Sequence, residues 1–359
     1  MENNFAIDYP LDERELKTEL EALQQQWAAS LSSQQDRDNF CNDGFYPFYT
    51  HQKTKVLFIG QESYGMGGCD FIEAFYNVLR RGKFNTNESI NKSRFHHLIF
   101  YVAYGILKDF PKWSDVPYPS NYREEIFTEH GISFAFMNLS KFSAPGNYRR
   151  TDWGDVMRSV REGAANIKKE IELLAPDIVI TMSFLRNQEI RSALFDTCEA
   201  VDCTDPNVRV YRAINGGKHM LVLDTWHFSA LKSEFECYYQ PIEQALRKHY
   251  SQDSSDIVPI SSSSSQTACS SHVDPRYRLI SEIAEECSTN GSTMFVTELA
   301  RRLNERGLKT SYGSEYAGGR GTYRLIRAAY WCYERMEEHD KAKHIADSFV
   351  NAKGNCAWW

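Results

Sequence analysis

Four short, largely apolar runs constrain this chain more than any other feature: Val56 to Ile59, Ser133 to Asn138, Ile178 to Met182 and Met220 to Leu223. They are rich in β-branched and aromatic residues, and the stretches between them are long enough for crossover helices. An unbroken apolar run marks a strand buried on both faces, whereas a strand wetted on one side alternates. Such strands, alternating with helices, specify an α/β fold: a parallel sheet covered on both sides, the αβα sandwich. Arg158 to Leu174 reads as the clearest crossover helix. Leu11 to Leu31 carries Leu16, Leu20, Leu23, Trp27 and Leu31 at helical spacing, and reads as an amphipathic helix packed on the same domain. In such sheets the chemistry sits beyond the carboxyl ends of the strands.

The length, 359 residues, suits two domains. Residues 251–274, with the run Ser261 to Ser265, have almost no large apolar side chain and read as a flexible linker after a first domain at 1–250. Tyr277 to Cys287, Thr297 to Arg306 and Thr322 to Glu337 read as three helices of a small domain at 275–345, followed by a tail at 346–359. Between Phe295 and Tyr330 this domain has seven basic residues against three acidic ones. Arg320, Arg324 and Arg327 interleave with tyrosines in a pattern that suits phosphate and sugar contacts, and the helix, glycine-rich turn and basic helix order suggests a helix-turn-helix variant. A solvated basic face on a dimerisation module is the alternative.

The formal charge of −7, from 41 basic and 48 acidic residues, argues against a protein that coats nucleic acid non-specifically and leaves room for a local basic groove. No apolar run approaches the roughly 18 residues that span a bilayer, and Met1 to Pro10 lacks the basic n-region of a signal peptide. The expectation is a cytoplasmic protein with no membrane contact. Nine cysteines, scattered and without a Cys-x-x-Cys pair, spell neither a zinc ribbon nor a four-cysteine iron–sulfur site, so free thiols and no metal or organic cofactor are expected.

Three strand ends carry residues with chemistry. The first runs into Gly60-Gln61-Glu62-Ser63-Tyr64-Gly65, which presents a carboxylate between two glycines. The second ends at Asn138, whose amide both donates and accepts hydrogen bonds. The last ends in Asp224-Thr225-Trp226-His227-Phe228-Ser229-Ala230-Leu231. Singly these are a structural turn, a capping amide and a packed histidine.

Together, and in this order, they resemble the uracil-DNA glycosylase superfamily. That family's water-activating motif reads Gly-Gln-Asp-Pro-Tyr-His, to which Gly60 to Gly65 is similar, with Glu62 for Asp, Ser63 for Pro and Gly65 for His. Its second motif, His-Pro-Ser-Pro-Leu, is matched at His227, Ser229 and Leu231. Between them the family has a strand ending in Leu-Asn, then Gly-Trp opening a helix; here Asn138 is followed by Trp153. The resemblance spans roughly Lys55 to Arg247.

It implies a base-excising enzyme that leaves an abasic site in DNA, with no cofactor. Glu62 would position the attacking water and stabilise an oxocarbenium-like sugar. His227 would donate to the departing base. Asn138 would read the pyrimidine edge, with Gln61 and Tyr64 beside it and Phe71 or Phe75 stacking on the base. Extruding a base from a duplex leaves a gap to fill; Leu231 holds the wedge position, and Ser140, Ser229, Arg149 and Arg150 are candidate phosphate contacts. Tyr64 stands where the family excludes bases with a 5-substituent, which favours uracil. Ser63, Gly65, Gly67 and Gly68 loosen that loop, and the superfamily includes defence glycosylases that attack modified cytosines of phage DNA. A bulky modified cytosine such as glucosylated hydroxymethylcytosine is therefore the expected base, with uracil the alternative.

Two other readings stand. Ser63, Asn138 and Asp224-x-x-His227 match the pattern of an SGNH-type Ser hydrolase, and the fold would also serve a non-catalytic DNA-binding regulator. No Lys lies within the three motif cores, so a monofunctional enzyme is expected and a Schiff-base lyase step is not suggested; Lys141 and Lys232 are the lysines nearest to them.

Overall fold

The computed structural model describes residues 5–143, 151–250, 273–310, 315–318, 320–336 and 338–350. The chain divides into two compact units, Met1–Val201 with Asn207–Ile257, and Asp202–Pro206 with Val258–Trp359.

In the first unit the elements run α1 (Arg14–Ser30), α2 (Gln34–Asp38), β1 (Gly44–Phe45), β2 (Val56–Gly60), α3 (Phe71–Arg81), α4 (Arg94–Leu107), α5 (Pro119–Tyr122), β3 (Ala135–Asn138), α6 (Trp153–Leu174), β4 (Ile178–Met182), α7 (Gln188–Leu194), β5 (Thr197–Asp202), β6 (Val208–Asn215), β7 (Lys218–Thr225) and α8 (Gln240–His249). They build one seven-stranded sheet in the order β1-β3-β2-β4-β7-β6-β5. The four apolar runs form its centre, β3-β2-β4-β7, all parallel. The sheet as a whole is mixed, which corrects the wholly parallel expectation: β1 pairs antiparallel with β3, and β6 antiparallel with β7. β1 has only two residues, and β6 interrupts its apolar positions with Arg209, Arg212 and Asn215, so a search for continuous apolar runs passes over both.

From β2 the chain crosses to β3 on one side and then, through α6, to β4 on the other. Crossovers of one hand that lead in opposite directions place their helices on opposite faces. Accordingly α6 packs with α1 and α7, while α4 packs with α5 and α8. Asp70 starts α3 by accepting from the Glu73 N–H at 3.0 Å, and Asp152 starts α6 by accepting from the Gly154 N–H at 2.9 Å.

The register aligns the strand ends. Gly60 pairs with Asn138, Ile59 with Thr181 and Met182 with Thr225, so the loops after β2, β3, β4 and β7 leave the sheet at one level and form one rim. The order reverses between β2 and β4, the topological switch point where open α/β sheets bind ligands.

The second unit contains α9 (Pro275–Thr289), β8 (Met294–Phe295), α10 (Val296–Glu305), α11 (Arg320–Arg335), α12 (His339–Ser348) and β9 (Phe349–Val350) around its own core, with Ile280, Leu299, Ile326 and Ile345 buried. It is longer at both ends than the sequence suggests. Val273 is buried and Asp274 caps α9, both within the expected linker, whose residues 251–272 lie outside the described residues. Phe349 pairs with Met294 and is wholly buried, within the expected tail. Residues 306–319 separate α10 from α11, far more than the about four residues of a helix-turn-helix turn. Arg301 is held by Glu298 at 2.6 Å and by Glu305, and Arg302 by Glu298 at 3.3 Å, so part of the basic excess is neutralised locally. Arg327 is exposed on α11; the side chains of Arg320 and Arg324, on the same helix, lie outside the described residues. No helix among the described residues is long and apolar enough to cross a membrane.

Candidate functional site

The rim is built from the ends of three strands. Gly60 ends β2 where a side chain has no room: a Cβ there would lie 2.6 Å from Asn138 Oδ1 and 3.0 Å from Phe136 Cζ. The Asn138 amide therefore lies directly over the glycine backbone. Its residue is 3% exposed, its N–H donates to Asp43 Oδ2 at 2.8 Å, and among the described residues its side-chain amide has no hydrogen-bond partner. Although the residue is nearly buried, its amide is not among the sealed polar groups of the core, and its hydrogen-bonding valences are open to a polar ligand at the rim.

The loop after β2 is tied down by its own polar groups. Gln61 Nε2 donates across the switch point to the Met182 carbonyl at 3.3 Å, and Gln61 Oε1 accepts from Thr151 Oγ1 at 3.0 Å. Tyr64 Oη donates to Glu62 Oε1 at 3.1 Å and lies 3.3 Å from the same threonine hydroxyl. These contacts aim Glu62, which is half-buried. Burial pushes its carboxyl above the usual carboxylate range; the Thr151 and Tyr64 hydroxyls pull it back, and Asp152 and Asp155 push it up further. Gln61 is thus a brace, and its amide is engaged in the loop instead of being presented to a base. Tyr64 is 41% exposed, its ring at the surface.

His227 leaves β7 at the same level. Its Nδ1 accepts the Ser229 backbone N–H at 3.2 Å, so in the neutral ring the proton sits on Nε2, which has no partner among the described residues. Burial pushes the ring's pKa down to about 4, so it stays neutral at physiological pH. Phe95, in the first turn of α4, lies nearly parallel to the imidazole with ring centres 5.7 Å apart, and meets Phe136 edge-on at 6.2 Å. Phe71 stacks on the other ring of that contact, Phe136, at 4.4 Å. One aromatic layer thus runs from His227 to the wall beside Gly60 and Asn138.

Several sequence expectations change here. Phe75 is buried between Tyr46 and His96 and presents no free face, so Phe95 joins Phe71 as the aromatic near the site. Ser140 is buried, its hydroxyl 3.3 Å from the Phe142 carbonyl, and is no surface phosphate contact. Ser229 is exposed, and its N–H sets the His227 tautomer. Leu231 is 96% exposed. Arg149 and Arg150 lie outside the described residues. Lys141 is wholly buried against Asp43 and Glu170 and is not available as an amine nucleophile, while Lys232 covers the Trp226 ring at 3.9 Å.

The hydrolase pattern does not assemble. Ser63 Oγ is buried, and Asp224 Oδ1 accepts from Thr181 Oγ1 at 2.9 Å and from the Ser183 N–H at 2.8 Å. A Ser-His-Asp triad needs the imidazole Nδ1–H to face the carboxylate; here Nδ1 is an acceptor. Thr151, Phe95 and Asp43 escaped the sequence reading. The available signal for Phe95 was Arg94-Phe95-His96-His97 opening an otherwise apolar helix, since buried polar residues need partners. The chain matches no protein-family model and no curated protein.

Proposed function

We propose that this protein is a DNA glycosylase with a catalytic unit of the uracil-DNA glycosylase type, which everts a modified pyrimidine and hydrolyses its N-glycosidic bond. One observation carries the reading: the loops of a single rim present a hydrogen-bonded carboxylate, a buried amide with open valences and a neutral imidazole whose N–H is unclaimed among the described residues. In base release the bond between C1′ and the base nitrogen breaks, and the base leaves with the electron pair. Positive charge develops on the sugar and negative charge on the base oxygen. Glu62 faces the first need and His227 the second. Water adds its oxygen to C1′ and yields its proton to the Glu62 carboxylate. His227 keeps its Nε2 proton and stabilises the oxygen by a hydrogen bond, the role of a neutral imidazole held below its usual pKa.

The surface position of Tyr64, with its hydroxyl tied to Glu62, supports a bulky 5-substituent, and so a modified cytosine before uracil. Duplexes carrying uracil, hydroxymethylcytosine or glucosylated hydroxymethylcytosine, scored for abasic sites and free base, test this. Release from the glucosylated duplex is expected. Release of uracil alone overturns the choice of base, and duplex binding with no abasic site on any of them favours a non-catalytic regulator.

His227→Ala is expected to lower kcat by about 10²-fold with little change in KM, because the donor acts on charge present only in the transition state. A rise in KM alone would assign His227 to ground-state binding.

A further inference from the structure

We infer that Arg94 is a positioning residue that holds the loop carrying Leu231 rigid, so that the leucine can enter the base stack as a wedge; this rests on the glycosylase reading above. A single exposed leucine is ordinary on a protein surface. What sets this one apart is how its neighbours are held. Arg94 Nε donates to the Ala230 carbonyl at 2.7 Å, and its Nη2 donates to the Lys232 carbonyl. The two carbonyls flank Leu231, so one planar guanidinium fork straddles the exposed residue. Arg94 Nη1 in turn bonds Glu234 Oε1 at 3.0 Å, and His97 Nε2 meets the same oxygen at 2.8 Å while its Nδ1 meets the Asn91 carbonyl at 2.8 Å.

The other side of the loop is fixed as well. Tyr238 Oη donates to the His227 carbonyl at 2.9 Å, and the Arg94 guanidinium lies over the Tyr238 ring at 5.7 Å. Tyr238 sits in a single π-helical turn, Phe235–Tyr239, just before α8. Turns of that kind are rare and frequently occur at functional sites. Within the loop, Ala230 N–H donates to the His227 carbonyl and Lys232 N–H to the Ala230 carbonyl, each at 2.8 Å. Six residues carrying this many restraints form a stiff projection, anchored by the buried Phe228 and with the exposed Leu231 at its tip.

Stiffness matters because separating stacked bases costs free energy that the wedge must hold against. A loop free to recoil would give way before the stack does. His227 has its own supports in Phe95 and the Ser229 N–H, so loss of the fork is expected to impair extrusion more than chemistry.

The test compares wild type, Arg94→Lys, Arg94→Met, Leu231→Ala and the Arg94→Met/Leu231→Ala double variant on the same modified base in matched duplex, opposite a mismatch and in single strand. Single-stranded substrate needs no extrusion. Arg94→Met is expected to lower kcat/KM on matched duplex by roughly 10- to 100-fold, less at the mismatch and by under about threefold on single strand. Arg94→Lys, which keeps the charge and loses the fork, is expected to fall between. The double variant should be no worse than Leu231→Ala, since both changes remove one function. A loss equal on all three substrates, or additive effects in the double variant, overturns the clamp. A wild-type protein that releases no base from any substrate overturns the glycosylase reading and the clamp with it.

Discussion

Replacing Glu62 by Gln is expected to lower kcat/KM for base release by about 10³-fold, within the range of a positioned acid or base group. The substitution keeps the shape and the hydrogen bond from Tyr64 but removes the charge that, on the proposed mechanism, the developing cation and the attacking water require. On that mechanism the working form is the carboxylate. Because burial raises its pKa in the folded protein, activity must fall as pH drops through a value above the ordinary carboxylate range. Tyr64→Phe removes a hydrogen bond that favours the charged form, so it should move this acid limb to still higher pH. His227, pushed down to about 4, adds no limb near neutrality. A pH profile of kcat/KM for wild type and Tyr64→Phe measures all of this, and an unchanged limb in Tyr64→Phe would remove Glu62 from the titrating step.

The second large effect is on stability. Lys141 lies at 0% exposure between Asp43 and Glu170, with its Nζ 2.8 Å from Glu170 Oε2, and Gln24 Nε2 donates to Glu170 Oε1 at 2.9 Å. Two buried carboxyls share one ammonium. Burial and the neighbouring Glu170 hold Asp43 well above its ordinary value. Glu170 is held low by the Lys141 charge, against burial that pushes it up, and stays ionised. Lys141→Met strands that charge, and leaving a buried ion without its partner costs about 3–5 kcal/mol. In a domain of this size that corresponds to a Tm lower by on the order of 10 °C. Lys141→Met/Glu170→Gln, which removes both charges, should recover most of the loss; equal melting of the single and double variants would show that the ion pair is not what holds this part of the core. Asp43 also accepts the Asn138 N–H, so the same cluster underlies the rim.

How much of this was legible in the sequence follows from how local each signal is. The central strands were readable because a strand buried on both faces must be apolar at every position, and Val56 to Ile59 and Ile178 to Met182 are nearly so. Glu62, Asn138 and His227 were readable because each stands at a strand's end, where register alone places them on one rim. The edge strands were not, since β5 is half-exposed and β1 has two residues. Phe95 was not readable beside Phe71 and Phe75 for a related reason: spacing along a helix does not say which ring faces a histidine more than a hundred residues away.

The sequence by itself determined the α/β class, the apolar central strands and the set of polar groups at the strand ends. These depend on composition and periodicity within single segments. Only the tertiary structure decided that Lys141 is sealed in the core, that Gln61 braces a loop, that the His227 proton sits on Nε2, and that Arg94 grips both sides of Leu231. Each of those is a hydrogen bond or burial between segments far apart in the chain, and no local pattern encodes which distant group a side chain will meet.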